Sequence, residues 1–315
     1  MRRATVPATL AGLRLDRALA AMFPALTRSR LQQWITAGHV RVNGQPARKR
    51  DKLKGGEALE LDAPPPVDND WRAQDIPLAI VFEDDDLLVI NKPSGLVVHP
   101  GAGNAEGTLL NALLHHAPRL AQLPRAGIVH RLDKDTSGLL VVAKNEAARQ
   151  SLIRQLQEKT MGREYVAIVH GGMISGGTVD EPIGRHRVDR KRMTVTARGK
   201  QAVSHYRVLK RYRVHTLLQV VLESGRTHQI RVHMAHIKFP VVGDPTYGGR
   251  ARVPTGASAP LAQCLRDFKR QALHAVKLTL VHPASGKKMQ WSASVPPDMG
   301  ALMELLARDA RTERT

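Results

Sequence analysis

From Ile76 onward the chain returns repeatedly to short runs of aliphatic and β-branched residues closed by turns. These are Leu78–Phe82, Leu87–Asn91, Leu139–Ala143, Tyr165–Val169, His205–Val208, Thr216–Leu222 and Leu273–Val281. Runs this short suit strands. Helical patterns are fewer, chiefly Leu109–His116, Ala147–Lys159 and the stretch from Thr227 to His236. Many strands with few helices predict an α+β domain on a mostly antiparallel, mixed sheet.

A smaller α/β module precedes it. Leu15, Ala18, Leu19 and Met22 fall at helical spacing before Pro24. A second helix is capped by Thr27 or Ser29, presents Leu31, Trp34 and Ile35, and ends at Gly38. Val40, Val42 and the Asn43-Gly44 pair then give a strand and a hairpin turn. Pro64-Pro65-Pro66 favours a stiff, extended connection. The expected division is therefore 1–62 as the module, 63–75 as linker, 76–298 as the main domain and 299–315 as a helix-prone tail with a frayed end.

Charge narrows the class of partner. The chain of 315 residues carries 48 Lys and Arg against 28 Asp and Glu, a formal +20, and such a field attracts polyanions. In the module the cations gather in Arg28 and Arg30 at the second helix and in Arg48, Lys49, Arg50, Lys52 and Lys54 after the hairpin. A charge run is often only a solvated face, but a helix start beside a basic loop also makes a phosphate-binding surface. The segment Arg185–Lys200, with seven Lys and Arg and one Asp, reads the same two ways. Cys264 is the only cysteine, which excludes a disulfide framework within the chain. No apolar stretch approaches the ~18 residues of a membrane span, and the N-terminus lacks a secretory signal. A cytoplasmic protein, monomeric and without a membrane, is the expectation.

The chemistry concentrates in Gly127-Ile-Val-His-Arg-Leu-Asp-Lys-Asp-Thr-Ser-Gly-Leu-Leu-Val-Val-Ala-Lys144, a polar loop held between two apolar runs. Asp133 lies between Arg131 and Lys134, whose charges favour a carboxylate that serves as nucleophile, base or metal ligand. A lone loop Asp more often caps a turn. Tyr165 opens a strand after Arg163-Glu164, where core packing is the commoner fate of a Tyr. Glu223-Ser-Gly-Arg-Thr-His-Gln-Ile-Arg-Val-His233 is dense in donors. His228 and His233 are five apart, a poor helical spacing for a shared metal, and no third ligand is evident.

These segments resemble the pseudouridine synthases that modify large-subunit rRNA and some tRNAs. The likeness rests on His130-Arg-Leu-Asp133 with Thr136-Ser-Gly138, on Arg163-Glu-Tyr-Val-Ala167, and on Gln229-Ile-Arg-Val232. The stretches Val81–Pro100 and Leu273–Gly286 extend it, so that with the module it spans nearly all of residues 14–298. The module from Arg14 to Asp62 resembles the S-four RNA-binding domain. The resemblance implies the pseudouridine synthase fold and makes Asp133 the catalytic residue. Tyr165 would lie against the target base, and Arg231 would pair with Asp133, as a guanidinium can do bidentately. Arg131 and His130 would take part in base flipping and RNA binding, with Arg28, Arg30, Arg48, Lys49 and Arg50 holding RNA.

Isomerising uridine imports no group and oxidises nothing, so no cofactor and no metal are expected. Gly95–Asn104, Leu110–His115 and Pro124–His130 point to the group that modifies one stem-loop of 23S rRNA, helix 69. Whether Asp133 attacks C1′, adds to C6 of uracil or removes a sugar proton is left open by the residues. Two other readings are a non-catalytic RNA-binding assembly factor and a hydrolase pairing Asp133 with Asp135 or Glu223.

Overall fold

In the computed structural model the residues described are 2–23, 28–62, 71–101 and 103–312, without the side chains of 2, 28–30, 33 and 312. They fall into two compact units, Met1–Asp70 and Trp71–Thr315.

The first unit opens with β1 (Arg2–Thr5), followed by α1 (Leu15–Met22) and α2 (Arg28–Thr36). Then come β2 (Val40–Val42), β3 (Gln45–Pro46) and β4 (Ala58–Leu61), in a sheet ordered β1-β4-β2-β3. Leu15, Ala18, Leu19, Leu31, Trp34 and Ile35 bury the facing sides of the helices against Val40, Leu59 and Leu61. Asp16, fully buried, organises the polar side. Its carboxylate accepts from Arg14 Nε at 3.0 Å and from Gln32 Nε2 at 2.7 Å, and its N–H donates to the Lys49 carbonyl at 3.3 Å. One residue thus gathers the start of α1 and the middle of α2 through its carboxylate and the basic loop through its backbone N–H. Arg48 and Arg50 are exposed on that loop and Lys49 is half-buried. Arg28 and Arg30 open α2, but their side chains lie outside the described residues.

The second unit begins earlier than its sequence suggests. Residues 71–75 are fastened to it: Asn111 Nδ2 donates to the Arg72 carbonyl at 2.8 Å and Gln74 Oε1 accepts from Gly107 N–H at 2.7 Å. Its elements are β5 (Ile80–Glu83), β6 (Leu87–Lys92), α3 (Leu109–His116), β7 (Ser137–Ala143), α4 (Glu146–Gln157), β8 (Gly162–His170) and β9 (Gly177–Asp180). They continue with β10 (Ile183–Arg185), β11 (Met193–Val195), β12 (Val203–Arg211), β13 (His215–Leu222), α5 (Gln229–His236), α6 (Ala259–Asp267), β14 (Leu273–Val281), β15 (Lys288–Ser292) and α7 (Pro297–Thr312). The main sheet runs β5-β6-β7-β14-β8-β13-β12-β9, with β15 on β14. Every pairing is antiparallel except β7 with β14, which meet in parallel at His274 and Ala275 before β15 pairs with β14 from Lys277 on.

The period-two alternation of strand side chains splits the core into two layers. Leu88, Ile90, Leu140 and Val142 join α3, α6 and α7 on one face. Leu87, Val89, Leu139, Val141 and Ala143 pack against Ala148 and Leu152 of α4 on the other. Residues 299–312 are no tail. Met299, Leu302 and Leu306 of α7 are at most 1% exposed in the larger layer, so the helix-prone stretch is part of the core.

At the β8–β13 junction His170 and His215 face each other with ring centroids 5.1 Å apart, both almost wholly buried. Neither nitrogen of His215 and not Nδ1 of His170 finds a partner among the described residues. Burial, aided by the Arg252 charge, holds both near a pKa of about 4 against an ordinary 6.5. The unfolded chain therefore takes up protons at a pH where the folded one refuses them. Their stabilising contribution is complete above about pH 6.5 and is lost as pH falls towards 4, by about 3 kcal/mol per histidine at most. Denaturant titrations should show that decline, and His215→Leu should make it shallower.

Candidate active site

The loop from Ile128 to Thr136 is fixed on several sides before it presents any reactive group. Lys92, fully buried at the end of β6, donates to the carbonyls of Pro93, Leu96 and Lys134 at 2.7, 2.9 and 2.9 Å. Burial pulls its pKa down to about 7, opposed by the charges of Asp135 and Asp133. Gly95 N–H adds a second bond to the Lys134 carbonyl at 3.0 Å, and Gln271 Nε2 holds Thr136 Oγ1 at 2.9 Å. Gly138 has φ +115°, and a Cβ there would stand 2.3 Å from the Ala275 carbonyl oxygen. Glycine therefore permits the parallel approach of β7 to β14 that closes the loop.

Asp133 projects from this loop into a cleft of about 1080 Å³ that is also lined by Arg131, Arg163, Tyr165, His228 and Arg231. Small-molecule pockets typically measure ~300–1,000 Å³, so the cleft has room for more than one nucleobase. Arg231 Nη1 donates to Asp133 Oδ2 at 3.0 Å. The bidentate partner, however, is not Asp133. Arg231 Nε and Nη2 grip the two oxygens of Asp244 at 2.6 and 2.8 Å, both residues being at most 5% exposed. Burial opposes the Arg231 charge, but its bonds to Asp244 and Asp133 outweigh it and raise its pKa. The expected two-residue pair is thus a chain, Asp244–Arg231–Asp133, in which the buried carboxylate fixes the guanidinium plane and leaves one N–H for the loop.

Sequence reasoning missed Asp244. Standing between Gly243 and Pro245 it reads as a turn residue, and it is also that: Oδ1 accepts the N–H groups of Thr246 and Tyr247 at 2.8 and 3.0 Å. Arg231 lies on α5, anchored by the buried Gln229. Gln229 Nε2 donates to the Val203 carbonyl at 2.9 Å and to Ser204 Oγ at 3.0 Å, while Oε1 accepts Arg226 N–H at 2.9 Å.

The remaining sequence candidates distribute as follows. Tyr165 is only 6% exposed, so it belongs both to the apolar core and to the cleft lining. Burial raises its hydroxyl pKa, the Arg163 guanidinium lowers it and the Asp133 carboxylate raises it again. Arg131 is exposed and lines the cleft. His130, half-buried, also lines the cleft. Its Nε2 accepts the Val141 N–H at 3.2 Å, and burial beside Arg163 brings its pKa to about 3. A neutral ring spent on a strand amide holds the loop down and offers no charge to a phosphate. Both nitrogens of His233 are engaged, by Ser204 Oγ at 2.9 Å and the Glu181 carbonyl at 3.0 Å. Glu223 binds Lys159 and His205 at 2.6 and 2.8 Å, which sets it apart from Asp133 as a carboxylate partner.

The basic segment Arg185–Lys200, read as a loop, is built on a short hairpin of β10 and β11. Tyr247 ties it to the cleft. Its hydroxyl accepts Met193 N–H at 2.8 Å and meets His228 Nδ1 at 2.9 Å, while the Arg192 guanidinium lies 5.4 Å from its ring.

Comparison with known proteins bears on this arrangement. Residues 86–236 match the family described as RNA pseudouridylate synthase, and residues 13–59 match the S4 domain. Over 308 residues the chain is 56% identical to the ribosomal large subunit pseudouridine synthase D of Pseudomonas aeruginosa, covering 98% of this chain and 96% of that protein. It is 55% identical over 307 residues to the protein of that name from Escherichia coli K12, covering 97% and 94%. The solved structure of human RNA Pseudouridylate Synthase Domain Containing 4 superposes with a TM-score of 0.58 at 27% identity, over 73% of this chain and 93% of that one.

Proposed function

Because this chain belongs to the RNA pseudouridylate synthase family, we propose that it isomerises specific uridines of large-subunit 23S rRNA to pseudouridine, the helix 69 stem-loop being the target. Asp133 is the catalytic residue. The observation that carries this reading is the Asp244–Arg231–Asp133 chain, which delivers one oriented carboxylate into a cleft walled by Tyr165.

The reaction cuts the bond from ribose C1′ to N1 of uracil, turns the base and joins C1′ to C5. Reaching those atoms requires flipping the nucleotide out of its stack, at a cost of a few kcal/mol. Arg131, exposed beside Asp133, fills the vacated space, and Tyr165 backs the extruded base. Asp133 then acts on C1′, on C6 or on a sugar proton. The apolar wall behind Tyr165 keeps water from the released base. Nothing in this sequence of events calls for a redox or metal cofactor. We place the protein in the cytoplasm, acting as a monomer on rRNA, free or in a ribosomal particle. No helix among the described residues is long and apolar enough to cross a membrane.

Chemical mapping of pseudouridines on rRNA from cells lacking the protein tests this. Uridine in place of pseudouridine within helix 69, restored by re-expression, is the expected result, and an unchanged map refutes the assignment. The first unit supplies a second test. Arg48 and Arg50 stand exposed on the loop gathered by Asp16. If they contact phosphates, replacing both with alanine should weaken RNA binding and reduce the slope of log K against log salt by about 1 per contact. The single-turnover rate at saturating RNA should stay near that of wild type.

A further inference from the structure

The cleft holds a titratable group that the scheme above leaves idle. His228 stands directly before α5 with φ +58° and ψ +21°, a left-handed conformation uncommon for a residue with a side chain. Strain of this kind persists where the surroundings over-determine it, and it gathers at functional sites. Here the surroundings are a relay. Met193 N–H donates to the Tyr247 hydroxyl at 2.8 Å, that hydroxyl lies 2.9 Å from His228 Nδ1, and His228 Nε2 lies 3.9 Å from Asp133 Oδ1. The side chain of His228 is 20% exposed, in the cleft lining.

The relay favours one tautomer. The Tyr247 oxygen already accepts from Met193, and burial raises its pKa, so it keeps its proton. If that proton points at His228 Nδ1, the ring carries its own hydrogen on Nε2, facing the Asp133 carboxylate. The opposite tautomer would turn a lone pair towards a carboxylate oxygen 3.9 Å away and leave the tyrosine hydrogen unused. Burial also pulls the imidazole below the usual histidine range, with the Asp133 charge opposing, so the neutral ring is the resting form.

We propose that His228 is a catalytic hydrogen-bond donor, its Nε2–H serving a uracil carbonyl oxygen as negative charge develops on the base. The inference rests on the reading of the chain as a pseudouridine synthase, but not on which of the three routes Asp133 takes. Attack at C1′ and loss of a sugar proton both expel uracil with the N1–C1′ electron pair, as an anion spread over N1, O2 and O4. Addition to C6 pushes a ring electron pair onto C5 and O4. In each route the base is the acceptor of charge while Arg231 is committed to two carboxylates. A neutral, preoriented donor stabilises that charge without transferring its own proton. The C5 proton leaves separately once C1′ has joined C5, and N1 gains one.

Single-turnover conversion of RNA carrying uridine or 5-fluorouridine at the target, read as loss of the starting N-glycoside by nucleoside chromatography, tests the proposal. Asparagine tolerates the left-handed conformation but is too short to replace the ring. His228→Asn should slow uridine conversion at saturating RNA by roughly 10²-fold, in the range of a lost oxyanion donor, with RNA affinity little changed. On 5-fluorouridine, whose fluorine stabilises the ring anion by itself, the loss should shrink to less than about 10-fold. Tyr247→Phe, which frees the tautomer but keeps the ring, should show the same bias with a smaller loss. Equal losses on both RNAs, or wild-type rates, overturn the proposal. Wild-type enzyme that forms no pseudouridine would instead overturn the functional reading beneath it.

Discussion

Asp133→Asn should abolish pseudouridine formation, by on the order of 10⁴-fold or more, while the protein stays folded and binds RNA as before. The substitution keeps shape and one acceptor oxygen but removes the charge that a nucleophile or base requires. Losses of that order follow when the group that performs the chemistry is removed. The fold should hardly notice, because Arg231 keeps its bidentate partner Asp244 and is not left as an isolated buried cation. RNA affinity should be retained or slightly raised, since a negative charge has been taken from a cleft that receives a polyanion. Tritium release from C5-labelled uridine in RNA measures the chemistry, and filter retention measures the binding. Release at the wild-type rate would remove Asp133 from the mechanism.

What could be read in advance follows from how local each signal is. β6 and β7 were legible because both their faces are buried, so Leu87–Ile90 and Leu139–Ala143 read as continuous apolar runs. β14 was legible to the residue, and α3 likewise. Asp133 was legible through the motif around it. The pieces that escaped are those whose meaning lies elsewhere in the chain. β15, Lys-Met-Gln-Trp-Ser, alternates in exposure beside β14 and carries no apolar run. The two three-residue strands β10 and β11 are hidden among arginines. α7 looks like a tail until α6, which the sequence reading passed over, is seen packing beside it in the larger core layer. The role of His130 depends on a strand amide eleven residues away. Asp244 is the sharpest case. Its turn role is local and readable between Gly243 and Pro245, whereas its grip on Arg231 exists only once α5 has packed.

Asp244→Ala is accordingly expected to damage the enzyme on two counts that Asp133→Asn separates. It leaves the Arg231 guanidinium, 5% exposed, with a single bond to the Asp133 carboxylate, and it strips the acceptor from the turn at Thr246 and Tyr247. Breaking one side of a buried ion pair costs about 3–5 kcal/mol, so the denaturant midpoint should fall clearly. Turnover should fall as well, by roughly 10²-fold, because a guanidinium free to swing no longer fixes Asp133, and misplacement near 1 Å costs about that much. Asp244→Asn sorts the two effects. It retains an oxygen for the turn but surrenders the charge, so it should recover part of the stability and little of the rate. Affinity for RNA should move least of all, since Asp244 is buried, is not among the residues lining the cleft, and its carboxylate bonds to Arg231 and its own turn. If Asp244→Ala matched the wild type in both midpoint and single-turnover rate, the buried carboxylate would have no part in orienting Asp133, and the three-residue chain would reduce to an incidental contact.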